Sequence, residues 1–284
     1  DLLSAGKSRA VAELAAKNGF FHWHVEFSSI MNAGGFDVIL GNPPWDVLQM
    51  KEEEFFASRI PSIITLNSAK RKIEIKELKS VNPSIWSEYQ ESLRLVECGS
   101  TVIRFSDRFK LTAYGKLNTY ALFAELSKDL SHGKGRSGII VPSGILSDDS
   151  TKAFFGECFT KARIISAVSF ENEEFIFKGI ANVNKFTALT LGDRPDSEDA
   201  EFAFYIRRVE QIRETMRYFS LSQEDLKNIN PNTRTCPVFR SEVDAELTKK
   251  IYRRTPVLID ENMGENGNPW GVTFRQGLFN MASD

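Results

Sequence analysis

Apolar and polar positions along the chain follow two periods, which place its elements. "SAGKSRAVAELAAKNG" (4–19) puts Val11, Leu14 and Ala15 on one helical face, and Asn18-Gly19 supplies a stop. "FFHWHVEF" (20–27) alternates and predicts a short strand. Phe36, Val38, Ile39 and Leu40 form a strand with the look of a buried one, running into Gly41-Asn42-Pro43-Pro44-Trp45. Residues 46–60 read as helical, and 66–80 as a charged, solvated stretch. In 118–130 a helix turns Tyr120, Phe123, Ala124, Leu126 and Leu130 toward a sheet and stops at "SHGKGR". "SGIIVPSGIL" (137–146) is a strand apolar on both faces, as helix-covered parallel strands are.

Asp149 or Ser150 starts the next short helix, and strands follow over 162–170 and 184–192. "EFAFYIRRV" adds an edge strand. Ser222 and Asp225 have capping-box spacing, and 241–254 forms a helix with Val243, Leu247 and Ile251 on one face. Alternating strands and helices with apolar strand cores predict an α/β fold built on an open sheet. In such sheets ligands bind beyond the carboxyl ends of the strands, and the Asn-Pro-Pro loop follows one of them. Three regions are expected: a sheet-bearing part over 1–193, an inserted helical excursion over 46–117 within it, and an edge strand with a helical connector over 194–284.

Composition changes this picture little. With 284 residues, 42% of them hydrophobic, the chain can bury a sizeable core. The formal net charge of −2 gives no global nucleic-acid signal, but a local basic groove needs none. Cys98, Cys158 and Cys236 share no metal-ligand spacing, so a reduced, cytoplasmic protein without a metal site is expected. No run of 18 apolar residues suggests a membrane span. The chain opens without Met and without a signal peptide, and is expected to be a piece of something longer.

The Asn-Pro-Pro-Trp loop is the place where chemistry concentrates. The Asn42 amide stays neutral and offers one acceptor and two donors. Pro43 and Pro44 fix their own φ angles and present carbonyls, and Trp45 offers a π-face. An exocyclic aromatic amine suits this set. Its two N–H groups would go to the Asn42 oxygen and the Pro43 carbonyl, with its ring on Trp45. Two such acceptors localise a lone pair otherwise delocalised into the ring, so the nitrogen can attack an electrophilic methyl group. Similar letters recur at "VNPSIW" (81–86) and "GNPWG" (267–271) without the strand ahead of them. His22 and His24, alternating about Trp23, lack a third ligand and read as structural or surface residues. Asp148 and Asp149 read as capping residues.

"FDVILGNPPW" resembles motif IV of S-adenosylmethionine-dependent amino-methyltransferases in the adenine-N6 DNA form. The wider sequence is similar to the large methylases of type IIG restriction–modification and related phage-defence systems. The similarity runs on through "GKLNTYALFAEL", "GIIVPSGILSDDSTKAFF", "ENEEFIFKGIANVNKFTALTL" and "PVFRSEVDAELTKKIYRRTPVL". The resemblance implies a Rossmann-like methyltransferase sheet lacking its N-terminal half. It implies double-stranded DNA with a flipped adenine as substrate and S-adenosyl-L-methionine as cofactor. Asn42, Pro43, Pro44 and Trp45 would be catalytic, with Asn42 also at the edge of the cofactor pocket. Trp45 and Phe177 would stack on the two faces of the base, with Phe175 the neighbouring choice for the second. No Gly-rich cofactor loop is present, so the isolated chain is expected to be inactive. Nuclease or target-recognition domains would belong to the parent protein. Two other functions stay open: methylation of an RNA base or a protein amide by the same loop, and a binding or assembly module whose loop is idle.

Overall fold

The computed structural model describes residues 5–195 and 198–275. The chain opens with α1 (Ala5–Asn18), α2 (Trp23–Glu26) and α3 (Ser28–Asn32), then enters β1 (Phe36–Gly41). Next come α4 (Glu52–Ala57), α5 (Pro61–Ile64), α6 (Ser68–Val81) and α7 (Pro83–Phe105). The sheet resumes through α8 (Thr119–Leu130), β2 (Ser131–Pro142), α9 (Gly144–Ser147), α10 (Lys152–Thr160), β3 (Ile164–Glu171), β4 (Lys185–Gly192) and β5 (Ala200–Ile206). It ends with β6 (Tyr218–Leu221), α11 (Gln223–Ile229) and α12 (Glu242–Arg254).

The expected α/β class is what the structure has: one open, mixed six-stranded sheet, in the order β1-β2-β4-β3-β5-β6. β1 and β2 are parallel, β4 runs antiparallel to both β2 and β3, and β5 is parallel to β3. The carboxyl ends of β1, β2 and β3 therefore share one edge of the sheet with the loop joining β3 to β4. All four strands expected around 36–40, 138–142, 163–169 and 185–191 lie in this sheet.

The main core packs Phe154, Phe155, Phe159, Ile139, Leu189 and Phe202 between the sheet and its helices. Helices α4 to α7 build a separate small core from Phe56, Ile63, Ile75, Leu78 and Tyr89. The charged run of 66–80 is thus a helix with one apolar edge pressed inward. Asn67 and Asn82 cap α6 and α7 by accepting from the Lys70 and Ile85 amides. Gly35 sets the entry to β1: its φ is +117°, and a Cβ there would lie 2.5 Å from the Leu130 carbonyl oxygen.

Several expectations are corrected. Residues 23–26 are a helical turn, not a strand, so His22 and His24 share no strand face, and both are exposed. Among the described residues no group of His, Cys, Asp and Glu could hold a metal. Only Glu52–Ala57 of the 46–60 stretch is helical. "SHGKGR" begins β2 rather than merely closing α8, because its backbone pairs with β1 and β4. The strand expected to reach residue 146 ends at Pro142. β5 is an inner strand, and the short β6 takes the edge.

Among the described residues several apolar faces lie in the open, Val11 and Leu14 of α1 among them. Val38 and Leu40 of β1 are 71% and 86% exposed. Phe123 of α8 is half exposed, while Tyr120, Ala121, Ala124 and Leu130 are buried. On α12 Val243, Leu247 and Ile251 point outward, and the buried positions are Ala245 and Lys249. Among the described residues no helix is long and apolar enough to cross a membrane. Cys158 and Cys236 are buried thiols, Cys98 is exposed, and none is in a disulfide.

Candidate active site

The loop after β1 turns away from the sheet at Asn42 and is held by α8. The Thr119 hydroxyl donates to the Pro44 carbonyl at 2.7 Å, and the Asp46 amide donates to that hydroxyl at 2.9 Å. The Thr119 amide itself donates to the Asp46 carbonyl. Val47 then bridges to Asn118, so the loop is stitched to the first turn of α8 along its second half. Trp45 is half-buried, and its indole N–H donates to the Ile140 carbonyl of β2 at 3.2 Å. Its ring lies tilted against Phe186, with centroids 6.5 Å apart.

The first half of the loop is left open. Among the described residues, nothing hydrogen-bonds the Asn42 side-chain amide or the Pro43 carbonyl. The chain has three other Asn-Pro pairs, and each spends its amide internally. Asn82 caps α7, Asn230 donates to the Thr235 carbonyl at 2.9 Å, and Asn268 closes a turn through both polar atoms with Val272. An exposed, unspent carboxamide beside an unspent carbonyl, on a loop pinned at its far end, is a preset pair of acceptors.

The loop 172–184 joins the same edge of the sheet. Phe177 is half-buried and packs edge-on against Phe186 at 4.9 Å, so Trp45 and Phe177 both rest on one ring. Phe186 stacks in turn on Phe170 at 5.0 Å. Phe175 is half exposed and has a left-handed backbone, with φ +53°. Ser143, Ser169 and Thr187 join their hydroxyls across the strand ends, at 2.7 and 3.2 Å. Beside them Glu171 is buried and held by Lys185 and Arg207, each at 2.9 Å. Burial raises its pKa, but the hydrogen bonds and charges of Lys185 and Arg207 outweigh that and hold the carboxyl below its ordinary range.

A cavity of about 410 Å³ opens at Asn42 and Pro43, walled further by Trp23, Phe36, Leu40, Phe123 and Ile139. No charged side chain is among the residues that line it. Asn42 and Pro43 thus line this cavity, while Trp45 packs on Phe186 and Phe177 of the neighbouring loop packs on that same ring. Sequence reasoning missed Thr119, Asn172 and Phe186. Thr119 shows only as a polar residue at a helix start, and Phe186 as one more Phe in an apolar strand.

Among solved structures the chain is similar to a type I restriction-modification methyltransferase subunit from Streptococcus thermophilus, at 14% identity over 72% of this chain and 39% of that one, with TM-score 0.40. It is similar to the type IIG restriction endonuclease BpuSI at 16% identity over 61% of this chain and 15% of that one, with TM-score 0.34. It is also similar to a nuclease-deletion mutant of the type ISP restriction-modification enzyme LlaGI, solved with a DNA substrate mimic, at 11% identity over 64% and 15%, with TM-score 0.35. The chain spans well under half the length of each. No curated protein matches it. The model of a methylase family matches residues 4–177, which contain β1, the open Asn42 loop, α8 and the first part of the loop after β3, up to Phe177. On that match the chain belongs to the Eco57I restriction-modification methylase family.

Proposed function

We propose that this chain carries the base-binding half of a DNA adenine-N6 methyltransferase in a cytoplasmic restriction–modification or phage-defence system. The observation that carries this reading is the unspent Asn42 amide beside the Pro43 carbonyl, in a chain whose other Asn-Pro amides are all engaged.

An adenine flipped out of duplex DNA would lay its ring on Trp45, which the Ile140 carbonyl holds in place. Phe177, beside the same Phe186 ring, is assigned to the other face of the base. The N6 amine would donate one hydrogen to the Asn42 oxygen and one to the Pro43 carbonyl. These contacts tighten as the nitrogen turns tetrahedral, so they favour the transition state over the ground state. S-adenosyl-L-methionine, when bound, supplies the electrophilic methyl group. Asn42 and the Pro43 carbonyl would hold the N6 nitrogen toward that methyl group, and the proton released from the amine would pass to water. Pro44 holds the turn, and its carbonyl is kept from the substrate by Thr119.

The residues present fit only an edge of that cofactor. The cavity beside Asn42 is mostly apolar, with Asn42 and Ser127 its polar side chains and no charged side chain to pair with a charged amino-acid group. Asn42 is assigned to its rim, and the remaining cofactor contacts to other parts of a longer protein, which would also carry recognition and any nuclease domains. The open faces of Val38 and Leu40 on β1 support such a neighbour. Residues 1–193 are assigned to catalysis, with 46–117 inserted, and 194–284 to a connector.

The test is Asn42→Ala in the full-length protein, with methyl transfer to duplex DNA and a DNA-binding isotherm measured together. Methylation should disappear while binding stays near wild type, because affinity for DNA comes mainly from phosphate contacts elsewhere. Methylation near the wild-type rate would remove the loop from the mechanism.

A further inference from the structure

The side chain of Asn172, just past β3, is fully buried, and the hydrogen bonds it makes go to one segment. Its Nδ2 donates to the carbonyls of Phe177 and Ile180, each at 3.0 Å. Its Oδ1 accepts from the Phe177 amide at 2.9 Å. Its own carbonyl accepts from the Phe175 amide, closing the turn in which Phe175 takes its left-handed conformation. The adjacent Glu171 is clamped between Lys185 of β4 and Arg207 just past β5. A continuous line of constraint therefore runs from the sheet through Asn172 to the backbone on both sides of the Phe177 ring, which rests on Phe186 beside Trp45.

The geometry points to Asn172 as a positioning residue for base capture: it sets the aromatic loop at its working distance from Trp45 before DNA arrives. This rests on the reading of Asn42–Trp45 given above. The physical reason is preorganisation. A loop tied by a buried carboxamide has no ordering to do when the base enters, whereas the same loop without those bonds must be frozen at that moment. Asparagine suits the place because it donates twice and accepts once on neutral atoms. A carboxylate there would face the carbonyls of Phe177 and Ile180, which only accept.

The experiment uses the full-length protein, unmethylated genomic DNA and labelled S-adenosylmethionine. Asn172→Ala and Asn172→Asp are compared with wild type and with Asn42→Ala. Each Asn172 variant should lose about tenfold in single-turnover methylation at saturating DNA, the consequence of leaving buried backbone groups unpaired, with its DNA-binding isotherm unchanged. The Asn172→Asp loss should shrink, relative to wild type at each pH, as acid protonates the new carboxyl and gives back one donor. Urea midpoints measured beside the rates separate the two roles, because a residue that merely holds the fold together would lose rate only in step with folded protein, and Asn42→Ala should show no acid recovery.

Wild-type rates in both Asn172 variants, or an Asn172→Asp loss that acid does not relieve, would overturn the inference. With Asn42→Ala inactive, either result removes only the role of Asn172. If Asn42→Ala itself methylates normally, the reading of the site falls and this inference falls with it.

Discussion

The hydroxyl of Thr119 donates a 2.7 Å hydrogen bond to the carbonyl of Pro44 while accepting one from the amide of Asp46. A side chain at the start of α8 thus occupies one of the two proline carbonyls of the loop and leaves the other free. The division of labour between Pro43 and Pro44 comes from this contact.

Thr119→Ala should therefore loosen the loop. A net intramolecular hydrogen bond contributes about 1 kcal/mol, and this hydroxyl makes at least two. Urea unfolding of this chain should show a loss of about 1–2 kcal/mol on that scale. Methylation by the full-length protein should fall severalfold, and Thr119→Ser should keep most of both. Equal behaviour of the Ala and Ser variants would show that the hydroxyl is not the pin.

Trp45 is held by its indole N–H on Ile140 as well as by packing against Phe186. Trp45→Phe keeps a π-face but loses that bond, worth about 1 kcal/mol. It should retain a measurable fraction of wild-type methylation, whereas Trp45→Ala should retain little, since stacking on one base contributes roughly 1–3 kcal/mol. Methyl-transfer rates of the two variants under single turnover decide this. Equal rates would mean that the ring is core rather than a stacking plate.

Acid should weaken the aromatic-loop end of the sheet. Glu171 sits below its ordinary value of 4.5, since Lys185 and Arg207 outweigh its burial. A depressed carboxyl contributes stability that is complete above its unfolded value and is lost as pH falls through the folded one. Wild-type stability should therefore decline below about pH 4.5. Glu171→Gln should be less stable at neutral pH and should lose less on acidification. Chemical denaturation at neutral and acidic pH gives the comparison, and parallel pH profiles would contradict it.

On α12 the polar residue should matter more than the apolar stripe. Lys249 is buried, donates to the Ser220 carbonyl at 2.9 Å and pairs with Glu246. Lys249→Ala should cost about 1–3 kcal/mol by unpairing the part-buried Ser220 carbonyl. Leu247→Ala, at an exposed position, should stay within about 0.5 kcal/mol of wild type. Urea midpoints of the two variants test the order, and the reverse order would place the helix the other way round.

Local order was legible in the residues themselves. β1, β3, β4 and α8 follow from runs of apolar and β-branched residues, and the Ser222–Asp225 capping box forms as its spacing demands. The strand–Gly-Asn-Pro-Pro-Trp sequence located the candidate loop, because prolines after an apolar strand force an abrupt exit. Tertiary structure alone decided which faces are covered. Val38, Leu40, Phe123 and the Val243–Leu247–Ile251 stripe have the periodicity of buried positions and lie exposed, because period records a face and not what packs on it. The four Asn-Pro pairs differ by partners that only folding supplies: three amides meet a nearby backbone group, and the fourth meets none among the described residues. Strand order belongs to the same class, because β4 enters between β2 and β3 through long-range pairing that no local pattern encodes, and that insertion carries Phe186 to both Trp45 and Phe177.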